Sequence, residues 1–423
     1  MGSKPVHLKV FVDKKKNKVM FAEAEQDFVE ILFSFLTLPL GTIARISSKP
    51  QATMDTKAGS LDSLYESVEI LDYKHFSYGV NKNALVNPWN SSLSLCQKLK
   101  IDLNNIKPVH ARVSHSHDNL VFFKKRTSFI ITDDLNIVPL MLSTSISLLK
   151  FLGVENINSL DERTVDFGFE EFSSLLKWSL MTNTPLTNLI LGETKRPCKR
   201  IKTSTSSKLP LVSTNSTERQ TVKLLIHKSK KKVLCAQADN FFVEMLFSFL
   251  TIPLGSAKRL TMDNSSPTGI DTLYNSISSL GDGNYLKSEE IKNMLLSPKL
   301  ASSYLRVTDL MPIYEQTTSK GSFLKEQSTY IVFDDLKVTA SPSISAISEF
   351  IKALGIPNVT ASPSISAISE FIKALGIIPV EDIEVMEVSI GEQEALSILK
   401  ASLKSTSVLT DCLSSFKNVN SLI

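Results

Sequence analysis

Glycine is scarce in this chain: 15 of 423 residues, about half the usual share of ~7%. Folds that cradle phosphate need glycine at fixed turns, so the shortage argues against a nucleotide-dependent enzyme. Neither G-x-G-x-x-G nor G-x-x-x-x-G-K-[ST] occurs, and H-E-x-x-H, G-x-S-x-G and the EF-hand calcium loop are missing as well. Cysteine is scarcer still. Cys96, Cys198, Cys235 and Cys412 lie far apart and form no C-x-x-C, which points neither to a zinc pair nor to a disulfide framework, and fits a reducing compartment. Long apolar runs are lacking too. The greasiest stretch, Phe28 to Leu40, is broken by Glu30, Ser34 and Thr37 and meets Pro39, short of the ~18–20 apolar residues that span a bilayer. It reads as a core helix, and no membrane anchor is expected. The first residues run straight into an alternating strand pattern with no signal region, and Val6 stands where a myristoylation signal wants Ser or Thr. Charge of one sign is also absent, with 47 cations against 43 anions. Residues 191–221 hold seven cations and two anions while the flanking stretches are near balance, so the mild basicity belongs to a connecting segment.

What the chain does have is itself, twice. Phe28 to Gly41 and Phe242 to Gly255 agree at 12 of 14 positions, at an offset of 214. Leu61-Asp62-Ser63-Leu64-Tyr65 answers Ile270-Asp271-Thr272-Leu273-Tyr274 at 209, and Asp133-Asp134-Leu135 answers Asp334-Asp335-Leu336 at 201. Gly168, Lys177 and Thr187 answer Gly391, Lys400 and Thr410 at 223. The last jump has a visible cause: VTASPSISAISEFIKALGI, Val338 to Ile356, recurs letter for letter as Val359 to Ile377. The organisation expected is a first repeat over 1–190, a basic Ser/Thr-rich linker over 191–221, and a second repeat over 222–423 with a duplicated 21-residue helical unit (338–358 and 359–379). Such letter-perfect identity marks either a recent duplication or an error in joining the coding sequence.

Within one repeat, Val6–Val12 and Val19–Ala22 are β-rich runs joined by a lysine-rich turn, a hairpin signature. A helix is expected from about Asp27 to Leu36, with Phe28, Ile31, Leu32 and Phe35 forming one stripe, Pro39 stopping it and Gly41 letting the chain turn away. Leu61 to Leu71 offers a second helix. Thr127 to Asp133 and Thr329 to Asp334 are strands, with Asp-Asp-Leu reversing the chain after each. The duplicated unit has a helical stripe capped by Ser341 and Pro342 and stopped by Gly355. Val380 to Ile390 holds a short strand, and helices run over Glu392–Leu403 and Glu170–Leu180. The fold class expected is α+β: two tandem repeats, each a β-hairpin followed by helices and a further strand-helix-strand-helix segment, packed on each other within the chain.

The hairpin-helix segment, the Leu-Tyr-Glu-Ser of Leu64 to Ser67, Ile131-Thr132-Asp133-Asp134-Leu135 and the Leu-Lys-x-Ser-Leu of Leu399 to Leu403 resemble the plant family called domain of unknown function 674. The resemblance spans both halves. It implies a plant protein of no assigned activity, with no catalytic residues to transfer. Relatives often carry cysteine pairs between the second helix and the Asp-Asp-Leu strand that could bind zinc. Here that interval has only Cys96 in the first half and none in the second.

Each candidate residue carries two readings. His110, His115, His117 and Asp118 could ligate a metal, or belong to a polar loop with no counterpart in the second half. Asp133/Asp134 and Asp334/Asp335 could do acid–base work, or simply build turns. The turns Lys14–Lys18 and Lys228–Lys232 could touch phosphate, or keep a loop tip soluble; they lack the interleaved aromatics that nucleic-acid recognition uses. Lys195, Arg196, Lys199, Arg200 and Lys202 could be a nuclear import signal, or a solvated linker beside phosphorylatable Thr203–Ser207. No catalytic, cofactor or metal residue is named on this reading. The function expected is a non-enzymatic interaction or scaffold module with an unknown protein partner, in cytoplasm or nucleus. The alternative is an enzyme whose site lies between the repeats.

Overall fold

Val6, Leu8, Val10 and Val12 are all buried, while His7 is exposed and Lys9 half-buried, so the opening strand commits one face to a core. In this computed structural model, residues 5–48, 59–77, 82–104, 120–154, 156–192, 219–261, 267–301, 310–311, 321–325, 329–340 and 382–418 are described. The first half runs β1 (Val6–Asp13), β2 (Lys18–Glu25), α1 (Gln26–Ser34), α2 (Leu40–Ser47), α3 (Leu61–Ile70), α4 (Asn83–Val86), α5 (Leu93–Cys96), β3 (Ser128–Thr132), β4 (Ile137–Pro139), α6 (Leu142–Phe151), β5 (Asp161–Phe167), α7 (Phe169–Met181) and α8 (Pro185–Leu191). The second runs β6 (Gln220–His227), β7 (Lys232–Ala238), α9 (Asn240–Ser248), α10 (Leu254–Thr261), α11 (Gly269–Asp282), α12 (Glu289–Leu296), β8 (Tyr330–Phe333), β9 (Val338–Ala340), β10 (Ile383–Ile390), α13 (Glu392–Ser402), α14 (Val408–Cys412) and β11 (Lys417–Asn418). Most of the duplicated unit, residues 341–381, lies outside the described residues, and so does 193–218 of the linker.

Both sheets are antiparallel and share one strand order. The first is β4-β3-β2-β1-β5; the second repeats those five positions as β9-β8-β7-β6-β10 and adds β11 outside β10. The mixed α+β class is as expected. Phe11 faces Phe21 and Leu225 faces Cys235, so the offset of 214 holds through the first strand, and β6 begins at Gln220 as β1 begins at Val6. Each hairpin carries an irregularity at the same place, between Phe11 and Val12 and between Leu225 and Ile226.

The first helix differs from expectation at its end. The α-helix stops at Ser34, and Phe35–Thr37 tighten into a 3₁₀ turn in which Thr37 Oγ1 donates to Ser34 O at 2.8 Å. Pro39 then caps α2, and Gly41 lies inside that helix rather than at a turn. Its missing side chain has a different cause. A Cβ on Gly41 would stand 2.9 Å from Leu85 O and 3.0 Å from Leu250 O, and one on Gly255 would stand 2.7 Å from Leu295 O and 3.1 Å from Leu36 O. Glycine is needed where a carbonyl of its own half and one of the other half both crowd the helix.

The halves are joined by exchange. Pro39 and Pro253, equivalent residues, meet in an antiparallel bridge: Leu40 N–H donates to Ile252 O at 2.8 Å, and Leu254 N–H to Leu38 O at 2.9 Å. Equivalent residues touch each other only at a two-fold axis, so a local pseudo-two-fold passes here. Around it, α3 packs on β9 and α9 of the second half, and α11 on β4, α7 and α1 of the first. Ser67 on α3 accepts Val338 N–H at 2.8 Å; its counterpart Ser276 on α11 accepts Ile137 N–H at 3.0 Å. The segments after these helices cross as well. Ser77 N–H donates to Phe323 O and Lys325 N–H to His75 O, while Lys287 N–H donates to Phe122 O and Lys124 N–H to Tyr285 O, all at 2.9–3.0 Å. One continuous buried cluster therefore runs through both halves. A smaller cluster, Phe11, Met20, Phe21 and Ile130, lies on the opposite face of the first sheet under α6.

Candidate functional site

The paired aspartates are the chemically richest feature that recurs in both halves. β3 pairs with β2 only as far as Phe21 opposite Thr132, so the N–H of Val19 has no strand partner beyond it. Thr187, at the start of α8, fills the gap: its Oγ1 accepts Val19 N–H at 2.9 Å. Asp133 then takes both donors of Thr187, the N–H on Oδ1 and the hydroxyl on Oδ2, each at 2.8 Å. In the second half Val233 N–H donates to Thr410 Oγ1 at 2.9 Å, and Asp334 accepts Thr410 N–H at 2.8 Å and its hydroxyl at 2.9 Å. The two circuits match atom for atom, and each ties the last helix of its repeat to the opening hairpin.

Asp133 and Asp334 are 4% and 7% exposed. Burial pushes both carboxyls up to about 6, and the threonine donors pull back only part of that rise. Raised pKa values mark catalytic acids when an oxygen faces a cavity. Here each oxygen already holds a donor, and the two clasps stay within their own halves. Asp134 accepts the Thr132 hydroxyl, and Asp335 accepts Ser63 Oγ at 2.8 Å and Lys337 N–H at 3.1 Å. Leu135 and Leu336 follow at φ +64° and +63°, fully buried, a conformation a bulky residue keeps only when its neighbours over-determine it. The Asp-Asp-Leu stretches are turns, as their position between strands suggested.

In the sequence Glu30 registers only as a break in an apolar run, and Glu244 not at all. Each sits on the first helix of its repeat inside the most faithfully repeated stretch. Glu30 Oε1 accepts the N–H groups of Val121, Phe122 and Phe123 at 2.8, 2.7 and 3.3 Å, and Glu244 Oε1 accepts Leu324 N–H at 2.8 Å. Burial raises both carboxyls above the ordinary glutamate range. They hold the segments that cross to the other half. The recurrence of a carboxylate in both copies of an apolar stripe was the available signal. A second buried group lacks such symmetry: Lys258 and Lys404 flank Asp271 on α11, where the first half has Ala44, Met181 and Asp62.

The remaining candidates scatter. Lys14 pairs with Asp161 at 2.9 Å and Lys16 with Asp13 at 3.6 Å, and Asp13 also accepts the N–H groups of Lys15 and Lys16, so part of the first turn's charge is met by carboxylates of the fold itself. In the second turn Asp382 takes Ser229 N–H at 2.9 Å. His110, His115, His117 and Asp118 lie outside the described residues, as do Lys195, Arg196, Cys198, Lys199, Arg200 and Lys202. Cys96, Cys235 and Cys412 are buried free thiols pushed up to about 11, 12 and 12 by burial. Cys96 has Thr37 Oγ1 at 3.4 Å and Asn90 Nδ2 at 3.9 Å as polar neighbours, with no second thiol of the described residues beside it. That environment does not suit the zinc the family resemblance raised, since a zinc ligand must be a thiolate with partners. Among the described residues no three His, Cys, Asp or Glu side chains gather as metal ligands, and no helix is long and apolar enough to cross a membrane. A cavity of about 480 Å³ beside α1 is lined by Gln26, Asp27, Glu30, Lys98, Lys100 and Arg126. It lies on the first half, and neither aspartate pair lines it.

A family model described as a protein of unknown function, DUF674, matches residues 2–111 and 107–320, in two overlapping segments. The chain belongs to the DUF674 family. The DUF674 match ends at residue 320, ahead of the exact duplication at 338–377, and the element correspondence fits a repeated unit. The searches of curated proteins and of solved structures returned no match. The DUF674 assignment supplies no reaction, substrate or site residue.

Proposed function

We propose that this protein is a non-enzymatic protein-interaction or scaffold module of the plant cell interior, working in the cytoplasm, the nucleus or both. The observation that carries this reading is the surface around α6. Leu140, Met141, Leu142, Ile146, Phe151 and Ile157 are all at least 43% exposed, and they make up six of the ten large exposed hydrophobic side chains among the described residues. Single exposed apolar residues mean little, but six gathered in the segment from Leu140 to Ile157 support a contact surface. Support also comes from the fate of the recurrent polar groups. Asp133, Asp334, Glu30, Glu244, Ser67 and Ser276 all hold backbone N–H groups or threonine hydroxyls, so their repetition is accounted for by architecture. The rival reading, an enzyme with a site between the repeats, asks both Asp pairs to face a shared cavity, and the region between the halves is occupied by the common apolar core.

Two experiments test the reading. Tagged wild-type protein and a Leu142→Glu/Phe151→Glu variant are used to capture partners from plant tissue after crosslinking. The reading expects at least one protein held by the wild type and released by the variant; identical capture by both, or substrate turnover by the purified chain, counts against it. For the nuclear component, alanine at Lys195, Arg196, Lys199 and Arg200 is expected to lower nuclear signal of a tagged protein. An unchanged distribution removes that part.

A further inference from the structure

The exposed apolar surface is built on α6, which lies on the outer face of the first sheet. Leu148, Leu149 and Leu152 face the sheet and pack against Phe11, Met20, Phe21 and Ile130. No residue of the helix is fully buried, so α6 lies on the outside of the sheet by one edge only. Its solvent side consists of two neighbouring rows at i, i+4 spacing, Leu142–Ile146–Lys150 and Ser143–Ser147–Phe151. Leu142 and Phe151, at opposite ends, are 81% and 87% exposed. Between them the serines keep the ridge low enough for another helix to approach closely.

We infer that two copies of this chain associate through α6, crossing antiparallel about a two-fold axis near Ser147. The inference rests on the interaction-module reading and names the partner. In an antiparallel crossing, Phe151 of each copy meets Leu142 and Ile146 of the other, so each apolar end covers its complement, as a self-complementary interface requires. The area suffices. The exposed apolar side chains from Leu140 to Ile157 offer on the order of 600 Å². A standard dimer buries about 800 Å² per partner, roughly 65% of it apolar in homodimers, or ~520 Å². Charge does not oppose it either: Lys150 is the one ionised side chain of α6, and the antiparallel arrangement sets the two lysines roughly 10 Å apart along the axes, about a Debye length. A parallel pairing would set them side by side.

Sedimentation equilibrium on the purified full chain tests this. Wild-type protein at tens of micromolar is expected at twice the chain mass of 46.8 kDa, and Ser147→Glu, which alters only an exposed position, is expected to dissociate at least about tenfold more readily because two like charges meet at the axis. Ser147→Lys does the same, and an equimolar mixture of the two variants recovers the dimer. Circular dichroism confirms that each variant is folded. A monomeric wild type, or a dimer indifferent to both substitutions and to their mixing, overturns the inference. A monomeric wild type leaves the interaction-module reading to be judged by its own capture experiment.

Discussion

Asp133 and Asp334 give the protein a titration that its exposed acids lack. Both carboxyls are pushed up to about 6 by burial from an ordinary value of 3.8. In the native state they hold protons at a pH where the unfolded chain has lost them. Their contribution to stability is therefore complete below 3.8 and is lost as pH rises through about 6. At pH 5 the native pair binds about 1.7 more protons than the unfolded pair. Between pH 5 and pH 7 each clasp then gives up about 1.3 kcal/mol, or on the order of 2–3 kcal/mol for both. The direction is the reverse of acid denaturation through salt-bridged carboxylates, whose lowered values favour folding at neutral pH.

The assay is urea unfolding of the wild type and of Asp133→Asn/Asp334→Asn at pH 5, 6 and 7. Asparagine keeps the shape and an acceptor for the threonine N–H but cannot ionise. Taking the difference between the two proteins removes other shifted groups, such as Glu30 and Glu244, raised by burial, and His75, lowered by it. The wild type is expected to lose about 2–3 kcal/mol more than the variant between pH 5 and 7. Parallel pH profiles would refute the reasoning, because they would mean that the threonine donors hold both aspartates near their ordinary value despite burial.

Three further outcomes are expected. Glu30→Ala strips the acceptor from three backbone N–H groups that hold the crossing segment and should cost about 3–6 kcal/mol in denaturant unfolding, with Glu30→Gln costing much less; equal losses would show that the carboxylate's charge, not its acceptance, matters. Residues 1–192 and 219–423 expressed separately should each lack cooperative unfolding, and mixing them should restore it, since α3 and α11 complete each other's sheets. Deleting 359–379 should leave unfolding cooperative and shift stability by only about 0.6 kcal/mol, the loop-closure entropy of a halved connection, whereas a loss beyond ~3 kcal/mol would show that the second copy packs into the fold.

Much of one repeat was legible because its signals are local. Alternation set β1 and β2, the Phe28–Phe35 stripe set α1, and Asp-Asp-Leu set the turn before β4. What escaped was every feature whose cause lies in the other half. Ser67 and Ser276 looked like ordinary polar positions on amphipathic helices, yet each satisfies a strand N–H about 270 or 140 residues away, as Val338 and Ile137 show. Gly41 carried the marks of a chain reversal after Pro39, and periodicity holds no information on the carbonyls of Leu85, in its own half, and Leu250, in the other, that crowd it. The small strands β4, β9 and β11 were too short for alternation to register. In the candidate site, the aspartates were visible and their partners were not: Thr187 and Thr410 recur at the right offset, but nothing local links a threonine to an acid 54 or 76 positions earlier.

The same exchange explains where the chain tolerates a surplus. Between β4 and β5 the first half spends residues 140–160; between β9 and β10 the second spends 341–382, longer by one duplicated unit. β9 and β10 nevertheless occupy the sheet positions of β4 and β5. In the first half this connection contains α6, the one long helix among the described residues with no fully buried residue, and its inward side meets the small cluster on the outer face of the sheet. The cross-half contacts run instead through α2, α3, α10, α11 and the segments that follow α3 and α11. An insertion in any of those would displace a carbonyl from Gly41 or Gly255, or a hydroxyl from Ile137 or Val338, and so open the shared core. Between β9 and β10 added residues leave those contacts, and the sheet positions of β9 and β10, in place.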